Sequence, residues 1–140
     1  PVLLHVGPGT FAPVRCEDPR QHRLEGEYFA ITDEIAGELN RRRRSGRAVA
    51  VGTTVVRTLE TAVDASGQIR EGDGWSEKFI YPPYEFTAID ALVTNFHLPK
   101  STLLMLVAAF AGYENLMMAY REAVREGYRF YSYGDAMMVI

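Results

Sequence analysis

Leu92 to Leu104 reads LVTNFHLPKSTLL, an apolar run that breaks into a short polar loop and resumes as the start of a second apolar run. The first run continues upstream to Ile89 and has the length and β-branched content of a buried strand over Ile89 to Thr94. The second, Thr102 to Phe110, is apolar all round, which predicts a helix covered on every side and closed by Gly112. Strand, polar loop, buried helix is the repeating unit of an α/β protein, and Pro99 stiffens the loop between them.

Working outward, Ala48 to Val51 predicts another strand, and Gly52-Thr53-Thr54 turns it into an amphipathic helix over Val55 to Val63, with Val56, Leu59 and Val63 on one stripe. Asp64 to Ser76 is polar and glycine-rich and predicts a surface loop. Lys78 to Tyr81 predicts a strand, followed by a turn at Pro82-Pro83. Toward the start, Val2 to Val6 and Tyr28 to Ile31 predict strands. Thr32 caps a helix with Asp33 and Glu34 in its first turn and Arg41 to Arg44 in its last, an order that complements the helix dipole. Toward the end, Asn115 to Glu126 carries Leu116, Ala119, Tyr120 and Ala123 at helical spacing, and Ala136 to Ile140 predicts a last strand. The alternation predicts a largely parallel sheet covered by helices on both faces.

The 140 residues suffice for one core. Apolar residues make up 47% and charged residues 24%, the balance of a chain that folds. A net charge of −3 gives no chain-wide attraction for nucleic acid. The single cysteine, Cys16, has no internal disulfide partner and sits among acidic neighbours that disfavour a thiolate. No apolar run approaches the roughly 20 residues of a membrane span, and a cytoplasmic location is expected. The chain opens on Pro1 and runs directly into VLLHV, as a piece of a longer protein would.

In α/β sheets ligands bind beyond the carboxyl ends of strands, which singles out four stretches. In HVGPGTF, Gly7 and Gly9 permit close backbone approach and Thr10 adds a hydroxyl, although a tight turn would explain the glycines equally well. In GTTVVRTLE, Thr53 and Thr54 stand at a helix start suited to an anion or carboxylate or simply to capping, and Arg57 is spaced to pair with Glu60. In TNFHLPKST, Asn95 offers amide groups, His97 can exchange a proton, and Ser101 and Thr102 begin a helix. A structural histidine and a capping serine are the alternative. In SYGDA, Asp135 is either a base or a satisfier of turn amides. Glu27, Glu60 and Asp135 are the carboxylates able to act as bases. Arg41 to Arg44 suit a solvated helix end, with phosphate contact open, and Tyr113, Tyr120, Tyr128 and Phe130 suit packing. The three histidines are far apart and there is no cysteine pair, so no metal spacing is present, and no Walker or GxGxxG pattern fits.

HVGPGTFAPV, VGTTVVRTLE, DALVTNFHLPKSTLLMLVAAFAG and YRFYSYGDAMM, in that order and spacing, resemble the S-adenosylmethionine:tRNA ribosyltransferase-isomerase family of queuosine biosynthesis. The resemblance runs from Leu4 almost to the end and corresponds to the carboxyl-terminal half of a family member. It implies that the amino-terminal segment and a small inserted β-barrel domain of a larger two-domain protein are absent. It implies a transferase that moves the ribosyl part of S-adenosylmethionine, a substrate rather than a resident cofactor, onto 7-aminomethyl-7-deazaguanine in the tRNA anticodon loop. Adenine and methionine leave, the product is epoxyqueuosine, and no metal is implied. By the same resemblance Asn95, His97, Glu27 and Asp135 are candidate catalytic groups, and Gly7, Gly9, Thr10, Thr53, Thr54, Arg57, Ser101 and Thr102 candidate substrate contacts. The chain departs from the family where Leu24-Glu25-Gly26-Glu27 replaces a common MHxE, and where Pro83 replaces a common glycine. The competing expectation is a diverged paralogue that binds a nucleoside or tRNA without turnover. The 140 residues alone are expected to be inactive.

Overall fold

The computed structural model describes residues 2–7, 13–14, 16 and 18–140. Its strands and α-helices follow in the order β1 (Leu3–His5), β2 (Glu27–Ile31), α1 (Asp33–Arg43), β3 (Val49–Val51), α2 (Thr53–Ala62), β4 (Gly72–Ser76), β5 (Ala91–Asn95), α3 (Thr102–Ala111), α4 (Tyr113–Arg125) and β6 (Ala136–Val139). Single 3-10 turns lie at Pro19–Gln21 and Tyr131–Tyr133.

The strands form two three-stranded sheets. In the first, β1, β2 and β4 lie side by side and all pairings are antiparallel. In the second, β5 is central, parallel to β3 and antiparallel to β6. The expected α/β class holds, but the largely parallel sheet does not: β3 with β5 is the one parallel pair among the described strands. The local pattern led astray because a connection through a helix does not by itself fix which strand the chain rejoins.

Two segments depart from expectation. Gly72–Ser76, expected to be loop, is a strand that pairs along its whole length with β2, from Glu27 opposite Ser76 to Ile31 opposite Gly72. Lys78 to Tyr81, expected to be a strand, has no ladder partner, although Ile80 is fully buried. Burial of an apolar side chain does not require a paired backbone.

Helix ends follow the sequence closely. The Thr32 hydroxyl accepts from Ile35 N–H at 3.3 Å to start α1, and the Ser101 hydroxyl accepts from Leu104 N–H at 3.1 Å to start α3. Gly112, at φ 81°, both ends α3 and begins α4, which sets off at 115° to it. No single helix among the described residues is long and apolar enough to cross a membrane.

Helix α2 positions everything else. Val56 and Leu59 are buried, as their stripe predicts, but Arg57, Thr58 and Glu60 on its polar side are buried too. The helix lies against β4 of the first sheet and against β3 and β5 of the second, so its polar face meets protein instead of water. The core around it comprises Phe29, Ile31, Ala50, Leu92, Leu106 and Val107 among others.

Candidate functional site

The four stretches singled out by sequence meet at the carboxyl end of β5. Gly52, at φ 97° where a side chain would be strained, donates its N–H to Val93 O at 2.8 Å and so joins the β3–α2 turn to β5. Val14 N–H donates to Lys100 O at 2.8 Å, and Pro13 forms a bridge with Ser101, which brings the end of HVGPGTFAPV against the TNFHLPKST loop. Tyr131 N–H donates to Phe96 O at 2.8 Å, and Asn95 Nδ2 donates to Asp135 O at 3.3 Å, which closes the fourth side. Gly7 stands half-buried just beyond β1, and a Cβ there would touch nothing within 4 Å. Gly9 and Thr10 lie outside the described residues.

His97 is the centre of this loop and is 7% exposed. Its Nε2 lies 2.9 Å from the Thr94 hydroxyl, and its backbone N–H donates to the Tyr120 phenol oxygen at 2.7 Å. Burial pushes the imidazole pKa down to about 4, so the ring is neutral at physiological pH. The expectation that His97 exchanges a proton near neutrality is therefore not met by the chain as folded. A neutral imidazole held at one nitrogen is instead a fixed hydrogen-bonding group. Burial also raises the Tyr120 phenol, keeping it protonated.

Two non-glycine residues adopt left-handed backbone, Lys100 at φ 61° and Tyr131 at φ 66°, and both belong to this cluster. Such conformations cost free energy and persist where neighbours over-determine them, commonly at functional sites. Beneath the loop, the Phe96 ring packs on Tyr120, Tyr128 and Phe130 with centroids 5.2 to 5.6 Å away, which fixes the loop's floor. Tyr113, expected to pack, is instead 63% exposed.

The other predicted residues divide into two groups. Thr53 and Thr102 begin α2 and α3 and are buried, and Thr54 is half-buried beside Thr53. The Ser101 hydroxyl, besides capping, donates to Leu98 O at 2.8 Å. Asp135 accepts from Arg129 N–H at 2.8 Å and from Arg129 Nη2 at 3.0 Å. The Arg129 guanidinium holds its carboxyl below the ordinary aspartate range. That is the turn-satisfying role, and it keeps Asp135 ionised.

Glu27 and Arg57 form a separate node. Arg57 pairs with Glu27 of β2, not with Glu60 as its spacing suggests, and both side chains are buried. Ser76, opposite Glu27 in the ladder, lies 2.8 Å from the Thr61 hydroxyl one turn along α2. Burial lowers the Arg57 pKa while Glu27 opposes the shift. Glu60 has its own partners: its carboxylate accepts from Ala88 N–H at 2.8 Å, Thr87 N–H at 3.1 Å and the Tyr84 hydroxyl at 3.1 Å. Glu27, Glu60 and Asp135 thus each face a different set of donors. Of the arginine run, Arg41 and Arg42 pair with Glu38, and Arg43 donates to Gly67 O and Thr87 O. Among the described residues no three histidine, cysteine or carboxylate side chains come together as a metal site would require.

Sequence reasoning missed Thr94 and Tyr120, the two side chains that hold His97. Thr94 was hidden inside a strand and Tyr120 inside a helical stripe that reads as core.

A family model described as "Queuosine biosynthesis protein" matches residues 1–139. An S-adenosylmethionine:tRNA ribosyltransferase-isomerase of Moorella thermoacetica is 61% identical over 140 residues, and one of Symbiobacterium thermophilum is 59% identical. Each match covers 99% of this chain and 41% of the relative, so the chain spans well under half their length. The crystal structure of an S-adenosylmethionine tRNA ribosyltransferase from Thermotoga maritima superposes with a TM-score of 0.75 at 56% identity, covering 81% of this chain and 40% of that one.

Proposed function

Because this chain belongs to the queuosine biosynthesis protein family, we propose that it forms the part of an S-adenosylmethionine:tRNA ribosyltransferase-isomerase in which the ribosyl-transfer site is built around His97. The observation that carries this reading is the convergence of the four family stretches on the loop after β5, through Gly52 to Val93, Val14 to Lys100 and Tyr131 to Phe96.

In the proposed reaction the ribosyl part of S-adenosylmethionine moves to the aminomethyl group of 7-aminomethyl-7-deazaguanine in the anticodon loop of tRNA. Adenine and methionine depart and epoxyqueuosine remains. The donor carries a sulfonium, and a protonated imidazole beside it would repel it. Burial keeps His97 neutral, so the loop offers hydrogen bonds without positive charge. Asn95, exposed at the end of β5, supplies amide donors and an acceptor. Thr53 and Thr54 present the start of α2, whose end carries no side-chain cap. Asp135, held ionised by Arg129, orients Asn95 through its backbone carbonyl. Glu27 and Arg57 act as positioning residues that fix α2 on the first sheet. A cytoplasmic location suits a tRNA substrate.

The test uses the intact Moorella thermoacetica relative with its matching segment replaced by residues 1–140 of this chain. Release of adenine from S-adenosylmethionine only when tRNA bearing the aminomethyl base is present supports the reading. Binding of that tRNA with no adenine release contradicts it and favours a paralogue in which Glu25 and Pro83 have altered the acceptor pocket.

A further inference from the structure

The second sheet has one dry face and one bare face. Ala50, Leu92 and Val139 form a row across β3, β5 and β6, with Ala50 and Leu92 buried under the helices. The alternate row, Val51, Val93 and Met138, points the other way, and there Val51 is 68% and Met138 59% exposed. Val49 lies on the same side and is also exposed. Sheets with parallel pairs are covered on both faces, and a contiguous apolar face of this kind marks a contact surface.

We propose that the Val49, Val51, Val93 and Met138 face is the seam against an apolar helix from the part of the family polypeptide outside these 140 residues. Relatives place more than half of their length outside the matched segment, enough to supply that helix. No charged side chain stands in these rows, which excludes tRNA as the occupant, since phosphate contact requires cations. Asn95 shares this face at its carboxyl end, two residues beyond Val93, and is exposed. The covering helix therefore ends beside Asn95 and forms the missing wall of the site. This seam does not depend on which reaction the site performs.

Peroxide oxidation of Met138, followed by peptide mass spectrometry with free methionine as reference, tests it in the 140-residue chain and in the chimera described above. Oxidation rate follows exposure, so Met138 should react about tenfold more slowly in the chimera. Equal rates overturn the proposal. So does slow oxidation in the 140-residue chain alone that is relieved by dilution, which would identify a second copy as the occupant. Val51→Lys should leave the melting temperature of the 140-residue chain nearly unchanged and lower that of the chimera by roughly 5 °C or more. A comparable loss in both proteins, or a chimera without a cooperative melt, contradicts the seam.

Discussion

Glu60 and His97 are both ionisable side chains taken out of water, yet their surroundings differ in kind. Glu60 lies in a ring of donors, two backbone N–H groups and the Tyr84 hydroxyl among them, so its charge is compensated and the 84–88 segment is tied to α2. His97 has been made neutral by burial, with the Thr94 hydroxyl at one nitrogen and a strained loop around it. A buried charge saturated by local donors holds a fold together. A buried group kept neutral, at the meeting point of four segments, is suited to recognising a substrate.

The largest expected effect breaks the first region. Glu60→Ala leaves Ala88 N–H, Thr87 N–H and the Tyr84 hydroxyl without their acceptor, and the loss should be about 3 to 5 kcal/mol in urea denaturation. A loss under about 1 kcal/mol would mean that Glu60 does not anchor the 84–88 segment.

The next effect sharpens the second region. With His97 at about 4 in the folded chain and at an ordinary 6.5 unfolded, the unfolded state binds more protons between these values. Stability is therefore full above pH 6.5, falls as pH drops, and levels off below about 4, a loss of roughly 3 kcal/mol from this group. Replacing His97 with Gln should flatten the stability curve by up to about one proton over that window. An unchanged slope would mean that the imidazole is not buried in its neutral form.

The smallest effect concerns the boundary of the loop. Ser101→Ala removes the cap of α3 and the bond to Leu98, and should cost about 1 kcal/mol by chemical denaturation. A substrate role beyond capping would show as a rise in KM larger than this loss of stability explains.

Much of this contrast could be read in the sequence, and the exceptions share a cause. The caps at Thr32 and Ser101, the glycine turns at Gly52 and Gly112 and the polar loop after β5 are local, decided within a few residues. Strand β4 was missed because GDGWS has two glycines and no apolar alternation, and it is a strand only because β2 offers a partner 45 residues away, as the Tyr28 to Asp73 hydrogen bond shows. The Glu27 to Arg57 pair is equally non-local, and the nearer Glu60 was a false lead. His97 was legible as a candidate, but its neutral state follows from burial that only tertiary packing supplies.

The most direct test of the site compares His97→Gln with wild type in the chimera, by kcat for adenine release near neutral pH and by melting temperature. The expected result is a fall in kcat of about a hundredfold, the scale of losing one oriented polar group, with the melting temperature kept within a few degrees. An unchanged kcat in a stably folded variant would contradict the placement of the reaction at this loop.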